Sequence, residues 1–496
     1  MALLALAICL LHCAGNSSLP LVDRDEPRFA EATREMVQGG DWVVPHFNGG
    51  YRFDKPPLVY WMQAASMRVF GGNEFAVRFP SALCAALTAL VLLLWGARWR
   101  GVATGERAAL VFSLCVQVFQ HGRGAVADMT MVLCFTVAAW CAWLLGQESR
   151  RVRWAGACFW VALGLGFLAK GPVAWLPLVA LPWAPKEARR ALLGPWWKPV
   201  LGVVVMLGMV AAWGVPALLR TGGEFAAVGL GKHVVARSVG VMEGHGLRGV
   251  AGYLAGLPFY FVAVFVSLFP WSFWLPGVAG KWWRRDRFDP TACYLGAVVL
   301  VVFGAFTLVS TKLIHYTLPA LPALALLMAS AWPARGASSA PDGGAFMGGK
   351  ALGGDRMFER VALGWAVFVA VIALVLFPLA ARHTPSEVLW ARIKDRLAAD
   401  TAVATLRFQE PSLVWTLRRR VAGYLEILSK GDAVRWIAQP GPRLLVCEEA
   451  EVAGIFGAGT PEGVEALPVE GFQIARGRRV RLVVLWKPGQ RASVGD

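Results

Sequence analysis

The sequence predicts an all-α membrane protein, a polytopic helical bundle of about eleven spans followed by a small α/β domain. Composition supports this fold class in two ways. Of the 496 residues 57% are hydrophobic, and the mean hydropathy of +0.53 is too high for a soluble protein of this length. The 23 tryptophans suit a protein with two membrane interfaces, because indole rings settle at headgroup depth.

Apolar runs divide the first 382 residues into candidate membrane spans. A helix needs roughly 20 residues to cross a bilayer, and several of these runs are shorter. The first run is either a span or the core of a signal peptide. The predicted spans lie near residues 2–14, 79–97, 108–120, 126–145, 154–168, 171–183, 199–219, 252–276, 291–309, 313–332 and 361–381.

Positive charges are distributed between these spans in a way that orients the chain. If the N-terminus lies inside, every inner loop is rich in Lys and Arg, as cytoplasmic loops are. The sequence therefore predicts a multi-pass protein of the plasma (inner) membrane, with residues 15–78 forming the first outer loop. The net charge of +17 comes largely from these loops. It therefore predicts contact with membrane lipids and no nucleic-acid partner. The basic inner loops cover residues 98–107, 150–153, 186–198, 281–287 and 335–356.

The last part of the chain has a different character. Residues 383–496 contain no apolar run long enough to span, and are predicted to form an extracytoplasmic α/β domain after a transmembrane catalytic domain of residues 1–382. A helix is expected over residues 386–399, and strands are expected at runs such as 443–446 and 480–486. Turns are expected at residues 441–442 and 488–489.

Three carboxylates are candidates for catalysis. Asp25 and Glu26 follow the first span, where a carboxylate could act as general base, or simply favour the start of a helix. Asp128 lies among apolar residues at the outer end of the fourth predicted span. A carboxylate at membrane depth is by default functional or paired. A structural pairing of Asp128 with Arg123 or another cation is the alternative.

Cations at the same face suggest a phosphate site. Lys55 precedes two prolines, whose fixed backbone sets the direction of its side chain. An ammonium held there suits a lipid phosphate, although a snorkelling interfacial lysine is the simpler interpretation. Further outer candidates for this phosphate are Arg237, Arg248, Lys312 and Tyr316.

The sequence allows a divalent metal ion without requiring any cofactor. His233, His245 and Asp54 are the candidate ligands, but their spacing matches no compact ligand motif. The nine cysteines form neither a disulfide framework nor a Cys-x-x-Cys signature.

An ordered set of segments resembles a known family. The chain is similar to the aminoarabinose–lipid A transferases and their relatives, the protein O-mannosyltransferases, both of the GT-C class of glycosyltransferases. The segments are D-E-P-R-F-A-E-A-T-R-E-M (25–36), G-D-W-V-V-P-H-F-N-G (40–49), F-D-K-P-P-L-V-Y-W (53–61), N-E-F-A-V-R-F-P-S-A-L (73–83), G-A-V-A-D-M (124–129), L-A-K-G-P (168–172), F-P-W-S (269–272) and S-T-K-L-I-H-Y-T-L-P-A-L-P-A-L (310–324).

The resemblance implies inverting transfer of a sugar from a polyprenyl-phosphate donor, on the outer side of the membrane. The acceptor would be a lipid A-like glycolipid or a protein hydroxyl. Asp25 would then be the general base and Asp128 the second acid, while Lys55 and Tyr316 would lie at the donor phosphate. The family usually has Glu before this Lys, where the present chain has Asp54. Either Arg237 or Arg248 would correspond to a phosphate-binding Arg of the family.

A membrane transporter, or a flippase for an anionic lipid-linked substrate, is the alternative function. Such a protein is expected to have ionisable groups in both halves, or paired repeats with broken helices. The sequence shows no internal repeat, and its distinctive charges cluster toward one predicted face.

Overall fold

The computed structural model describes residues 1–21, 25–147, 154–229, 231, 249–284, 286–332, 355–457 and 460–489. After helix α1 (Ala2–Cys13), the first loop forms helix α2 (Asp25–Gly39), a hairpin of strands β1 (His46–Phe47) and β2 (Gly50–Tyr51), and helix α3 (Leu58–Phe70). The acidic motif of the first loop therefore begins a helix, and Asp25 and Glu26 occupy its first turn.

A series of helices fills the region between the first loop and the tail (residues 383–496). They are α4 (Glu74–Arg100), α5 (Val102–Leu114), α6 (Val116–His121), α7 (Asp128–Leu144), α8 (Trp154–Lys170), α9 (Leu176–Ala180), α10 (Lys186–Leu193), α11 (Trp197–Arg220), α12 (Gly249–Ala255), α13 (Phe259–Ser267), α14 (Leu275–Arg284), α15 (Pro290–Leu308), α16 (Leu321–Ala331), α17 (Asp355–Val371) and α18 (Phe377–Ala381).

Local sequence fixes where two of the long helices begin. The Asn73 side chain accepts a hydrogen bond from the backbone N–H of Ala76 at 2.9 Å and caps α4. Asp289 caps α15 in the same way, and Pro290 follows at the first helical position, where its missing N–H costs nothing.

Close contacts between α4, α5 and α7 form the centre of the bundle. A Cβ atom at Gly96 of α4 would lie only 2.6 Å from Cα of Gly105 on α5, so neither backbone could approach as it does with a larger residue. The Trp95 and Trp143 rings pack with centroids 5.7 Å apart. The Trp143 indole N–H donates to the Thr291 hydroxyl at 3.0 Å and so ties α7 to α15.

Within the described residues, five helices are long and apolar enough to cross a membrane, or six if one bent pair counts as a single span. The count of eleven stays a prediction. Three predicted spans are not continuous helices. The span predicted at 108–120 is interrupted at Cys115, where the backbone is extended between α5 and α6. Residues 172–183 form three short helical segments instead of one helix. Each segment begins at a proline or one residue before it, at Pro172, Pro177 and Pro182, because proline lacks the N–H that a continuing helix needs. The span predicted at 252–276 is broken near Pro270, and its two parts meet at 116°.

The tail contains a five-stranded mixed sheet in the order β4-β3-β5-β7-β6. Its first three strands are parallel to one another, and β7 and β6 continue it antiparallel. Helices flank the strands. The elements are α19 (Pro385–Ile393), β3 (Ala402–Leu406), α20 (Pro411–Leu417), β4 (Leu425–Ile427), α21 (Lys430–Ala438), β5 (Arg443–Glu448), α22 (Glu449–Phe456), β6 (Glu465–Gln473) and β7 (Arg478–Lys487).

Successive side chains of the strands point to opposite faces of the sheet, so the tail has one hydrophobic core on each face. Leu444 and Val446 of β5 belong to the core on one face, while Leu445 and Cys447 belong to the core on the other. The helix predicted over 386–399 begins one residue early and ends at Ile393, and the predicted strands at 443–446 and 480–486 are present and longer.

Buried charges join the tail to the first loop. Arg418, just after α20, donates to Glu31 at 2.5 Å and to Glu35 at 3.2 Å. The Arg34 guanidinium stacks on the Trp415 ring at 3.6 Å. Burial raises the pKa of Glu31, although Arg34 and Arg418 oppose this effect. Buried ion pairs therefore hold the first loop against the tail.

We predict that Arg418→Met destabilises the junction between the first loop and the tail. The change leaves Glu31 buried without one of its cations, and removing one partner of a buried pair costs about 3–5 kcal/mol. Thermal unfolding of the protein in detergent should show a clearly lower midpoint. Arg435→Met is the control, since its pair with Asp432 is exposed and such pairs contribute at most about 1 kcal/mol. Equal midpoints for the two variants would contradict the prediction.

Candidate active site

A single cavity of about 1910 Å³ lies between the first loop, the bundle and the tail. It brings together every predicted site residue within the described chain except Asp54. These are Asp25, Glu26, Lys55, Asp128, Lys312 and Tyr316.

Asp25 is the first residue of α2, and its side chain is exposed in the cavity. The positive end of the helix dipole favours a carboxylate at this position. The Asp25 carboxylate also interacts with the buried Arg52 guanidinium. Burial alone would lower the pKa of Arg52, but Tyr60, Asp54 and Asp25 together raise it. Asp25 is thus an accessible carboxylate held close to a buried cation.

Glu26 is bound on both of its oxygens by Arg78. The Arg78 Nε donates at 2.8 Å and Nη2 at 2.7 Å, and the Ala125 backbone N–H donates to the same carboxylate at 2.8 Å. Arg78 is fully buried and also donates to three backbone carbonyls, those of Asn16, Leu19 and Pro20. These contacts join the start of α2 to Arg78 of α4, and the catalytic role of Glu26 stays a prediction.

Asp128 forms a buried ion pair with Lys170, the last residue of α8. Arg123, the partner considered from the sequence, instead donates to the carbonyls of Leu11 and His12 at the end of α1. The predicted alternative of a pair between Asp128 and Arg123 was wrong. The other form of that alternative, a pair with a different cation, is present, and the cation is Lys170. A cation at the C-terminus of α8 is also favoured by the helix dipole.

Two histidines lie beside this ion pair. The His121 and His315 rings are 5.5 Å apart, and both residues line the cavity. The charges of Lys170, Asp128 and Lys55 all act on His315. Lys55 therefore lies in the same electrostatic surroundings as the Asp128–Lys170 pair that joins α7 to α8.

The chain around Lys55 is held by apolar contacts. Phe53, two residues earlier, is buried in a cluster with Trp213 of α11, and Pro56 and Pro57 lead directly into α3. Neighbouring Asp54 pairs with Arg52 at 2.8 Å. This anchoring gives Lys55 a fixed point of departure into the cavity.

Lys312 and Tyr316 line the cavity from the segment between α15 and α16. The Lys312 ammonium donates to the carbonyls of Phe306 and Thr307 at 3.2 and 2.6 Å, which caps the end of α15. Burial lowers the pKa of Lys312. The Tyr316 ring packs on Phe306 with centroids 4.6 Å apart.

Four predicted site residues, Arg237, Arg248, His233 and His245, lie outside the described residues. Their assigned roles stay predictions. In the described part of the chain, no group of three His, Cys, Asp or Glu side chains could hold a metal ion.

The sequence did not lead us to Arg78, to His121 or to a series of hydrogen-bonded, buried side chains beside the cavity. The Ser267 and Thr317 hydroxyls lie 3.1 Å apart, and Thr317 donates to the Gln117 side chain at 2.8 Å. Arg78 belongs to the segment N-E-F-A-V-R-F-P. An arginine among apolar residues indicates a buried, paired cation, and this pattern could have identified it.

Comparisons with known proteins agree with the resemblance seen in the sequence. Residues 54–215 match the family described as dolichyl-phosphate-mannose-protein mannosyltransferase. The undecaprenyl phosphate-alpha-4-amino-4-deoxy-L-arabinose arabinosyl transferase of Aeromonas salmonicida is 32% identical over 320 residues, covering 63% of this chain and 56% of that protein. The same transferase of Pseudomonas paraeruginosa is 34% identical over 339 residues, covering 66% and 59%. The chain thus spans less than two thirds of the length of these relatives.

The structural comparison covers nearly the whole chain. The crystal structure of ArnT from Cupriavidus metallidurans bound to undecaprenyl phosphate superposes with a TM-score of 0.70 at 20% identity, over 97% of both chains. The apo structure of that protein gives 0.67 at 19% identity, over 98% of this chain and 97% of that one. The chain has the GT-C fold of ArnT. The predicted resemblance to the ArnT and protein mannosyltransferase families is confirmed.

We predict that Arg78→Lys destabilises the protein although it keeps the charge. A lysine cannot reproduce the two-point contact with Glu26 together with three carbonyl contacts, and groups left unsatisfied in a buried site each cost about 1–3 kcal/mol. The unfolding midpoint in detergent should fall. Arg396→Lys, at an exposed pair with Glu465, should leave it nearly unchanged. An unfolding midpoint for Arg78→Lys equal to that of this control would show that the Arg78 contacts contribute little to stability.

We also predict strong coupling between Asp128 and Lys170. Lys170→Met leaves a buried carboxylate without its cation, which costs about 3–5 kcal/mol. Adding Asp128→Asn should recover much of that loss, and a double-mutant cycle should give a coupling energy of about 0.5–3 kcal/mol. Additive losses in unfolding experiments would mean that the two groups do not depend on each other.

Proposed function

We propose that this chain is an integral-membrane glycosyltransferase that uses a polyprenyl-phosphate-linked sugar as donor. The observation that carries the proposal is the convergence of Asp25, Lys55 and the Asp128–Lys170 pair on one cavity. These groups come from distant parts of the sequence, and their meeting in a fold shared with ArnT supports a common site. The solved ArnT structure contains undecaprenyl phosphate, which supports a polyprenyl phosphate as the ligand of this cavity.

The proposed reaction is a single displacement at the anomeric carbon. The acceptor oxygen forms a bond to that carbon as the bond to the phosphate oxygen breaks, and the bonding electrons leave with the lipid phosphate. Asp25 takes the proton of the acceptor hydroxyl, for which an exposed carboxylate is suited. One displacement inverts the configuration at the anomeric carbon.

Cations compensate for the charge that develops on the leaving phosphate. Lys55 and Lys170 both line the cavity, and electrostatic stabilisation of the transition state is commonly the largest catalytic contribution. In this proposal Asp128 holds Lys170 in place, Tyr316 donates a hydrogen bond to the phosphate, and Arg237 or Arg248 supplies a further cation.

The names of the relatives favour a pentose-type amino sugar as the transferred group. A hexose remains the other class of donor sugar. The proposed acceptor is a lipid A-like glycolipid or a protein hydroxyl, either of which supplies the oxygen for the displacement.

We further propose that the site faces outward, with residues 1–382 as the membrane domain and 383–496 as an extracytoplasmic domain. The contact between Arg418 and Glu31 supports part of this topology, because it requires an even number of crossings between the first loop and the tail. Ten of the eleven predicted spans lie between them, and ten is even.

The proposal predicts distinct defects for Asp25→Asn and Lys55→Ala. Loss of the base should lower the rate of transfer by about 10²–10⁴-fold while binding of undecaprenyl phosphate persists. Loss of Lys55 should weaken that binding as well. Mass spectrometry of lipids and envelope proteins measures the transferred sugar, and native mass spectrometry of the purified protein measures bound undecaprenyl phosphate.

Asp432→Asn serves as the control because Asp432 is exposed in the tail, away from the cavity. Near-normal transfer by both Asp25→Asn and Lys55→Ala would refute the site. A protein that moves lipid across the membrane but transfers no sugar would instead favour the transporter.

A further inference from the structure

Two neighbouring histidine side chains face the cavity, and the proposed displacement assigns a role to neither. His121 is the last residue of α6, and His315 lies in a short 3-10 helical segment, Ile314–Ala320, between α15 and α16. Both residues line the cavity, and their ring centroids are 5.5 Å apart. At this separation a single phosphate oxygen or water molecule can contact both rings.

Hydrogen bonds fix the two histidines relative to each other. The His121 Nδ1 lies 2.9 Å from the carbonyl of Gln117, one turn earlier in α6. A carbonyl only accepts hydrogen bonds, so Nδ1 carries a proton and Nε2 is left to exchange one. The Gln117 side chain in turn accepts from the Thr317 hydroxyl at 2.8 Å, which ties α6 to the segment that carries His315.

The pair lies among the groups that are proposed to hold the donor phosphate. The charges of Lys170 and Asp128 act on both rings. The charge of Lys55 acts on the ring of His315. A phosphate bound by Lys55 and Lys170 is therefore close to both rings, and a negative charge near a histidine favours its protonated form.

The other titratable groups around the pair belong to different classes. Carboxyl groups ordinarily titrate near about pH 4, and lysine and tyrosine near about pH 10. The pair differs from these neighbours because histidine ordinarily titrates close to neutral pH. The groups on the segments packed against the pair are Asp128, Lys170, Lys55, Lys312, Tyr316 and Tyr260. His383, an exposed histidine at the start of the tail, also lines the cavity.

The chemistry of the leaving group gives a reason for histidine at this place. The donor is a phosphodiester with one negative charge, whereas the released lipid phosphate is a monoester that can bind a further proton. The second pKa of a phosphate monoester is about 6, and the ordinary pKa of histidine is about 6.5. Groups with matched pKa values exchange a proton at little cost, which is the condition for efficient acid catalysis.

We propose that the His121–His315 pair donates a proton to the departing lipid phosphate, a role that rests on the proposed glycosyl transfer. As the bond between the anomeric carbon and the phosphate oxygen breaks, the phosphate gains a second negative charge, and Asp25 holds the proton of the acceptor. An N–H bond of the protonated pair then breaks and an O–H bond forms on the phosphate, which leaves with one charge. Asp25 releases its proton to water, and the pair takes one up from water.

This proton resolves a conflict between bond breaking and product release. Lys55 and Lys170 attract a phosphate with two negative charges more strongly than a phosphate with one. The cations that favour departure of the phosphate from the sugar therefore also hold it in the cavity. Protonation by the pair weakens that attraction after the bond has broken.

The first test measures how pH affects binding of undecaprenyl phosphate to the full chain in detergent. Above neutral pH the free phosphate and the free pair both lack the shared proton, so the complex holds one proton more than its separated parts. Binding to the wild type should therefore weaken as pH rises, by up to about tenfold per pH unit. Calorimetry in buffers of different ionisation enthalpy should show the matching proton uptake.

The double variant His121→Gln/His315→Gln keeps polar side chains but removes the groups that titrate. Its affinity for undecaprenyl phosphate should be nearly independent of pH above neutral, and its proton uptake should be lost. In transfer assays it should complete a first turnover and then release product slowly. His383→Gln is the matched control and should behave as wild type, since His383 lines the cavity outside the pair. Unchanged pH dependence in the double variant would overturn the proposal.

A second measurement uses only the wild type and so does not depend on the folding of a variant. Undecaprenyl methyl phosphate has the same lipid chain, but it is a diester and has no phosphate oxygen that titrates near neutral pH. Its binding should change little with pH. A pH dependence equal to that of undecaprenyl phosphate would show that the linked proton belongs to another group, and the proposal would fall.

The two proposals fail in different ways. If undecaprenyl phosphate binds with proton uptake that needs both histidines but no sugar is transferred, the glycosyltransferase function falls and the proton-exchanging pair stands. If sugar is transferred while binding of undecaprenyl phosphate is independent of pH, the function stands and the role of the pair falls.

Discussion

The ion pair between Glu26 and Arg78 fixes the end of α2 that faces the cavity. Arg78 uses its guanidinium to bind one carboxylate and three backbone carbonyls, so it joins the first loop to α4. Glu26 also accepts from the backbone before α7. Burying such charges is costly unless each hydrogen-bonding group is satisfied, and here the geometry satisfies them. Asp25 directly precedes Glu26, so this pair determines where the accessible carboxylate lies.

The acids around the cavity divide into paired and accessible groups. Glu26 and Asp128 are buried and bound by Arg78 and Lys170, and Asp54 is partly buried and paired with Arg52. Asp25 is exposed to the cavity. A base must be reached by the proton that it accepts, whereas a paired acid can orient a cation. This difference in surroundings, rather than residue type, separates their proposed roles.

Much of this arrangement could be predicted from the sequence. Composition predicted a membrane bundle, and the ordered segments predicted both the fold and the meeting of Asp25, Lys55 and Asp128. The partner of Asp128 could not be predicted, because the approach of Lys170 depends on how α7 and α8 pack. Arg78 was overlooked for a similar reason, since its acceptors come from a loop more than 50 residues away.

The breaks inside two of the predicted spans have a different origin. Hydropathy sums treat residues 171–183 and 252–276 as apolar runs, but do not record that proline lacks the N–H that a continuing helix needs. Pro172, Pro177, Pro182 and Pro270 were visible in the sequence. Greater weight on these residues would have predicted broken segments in both places.

The buried contact between Arg418 and Glu31 also constrains how the molecule is assembled. These residues are 387 positions apart, so α2 meets this partner only after residue 418 has left the ribosome. Until then Glu31 and Glu35 lack the Arg418 cation, and the cavity lacks one wall. Docking of the tail on the first loop is therefore a late step of assembly, and a chain interrupted before residue 418 would lack one wall of its cavity.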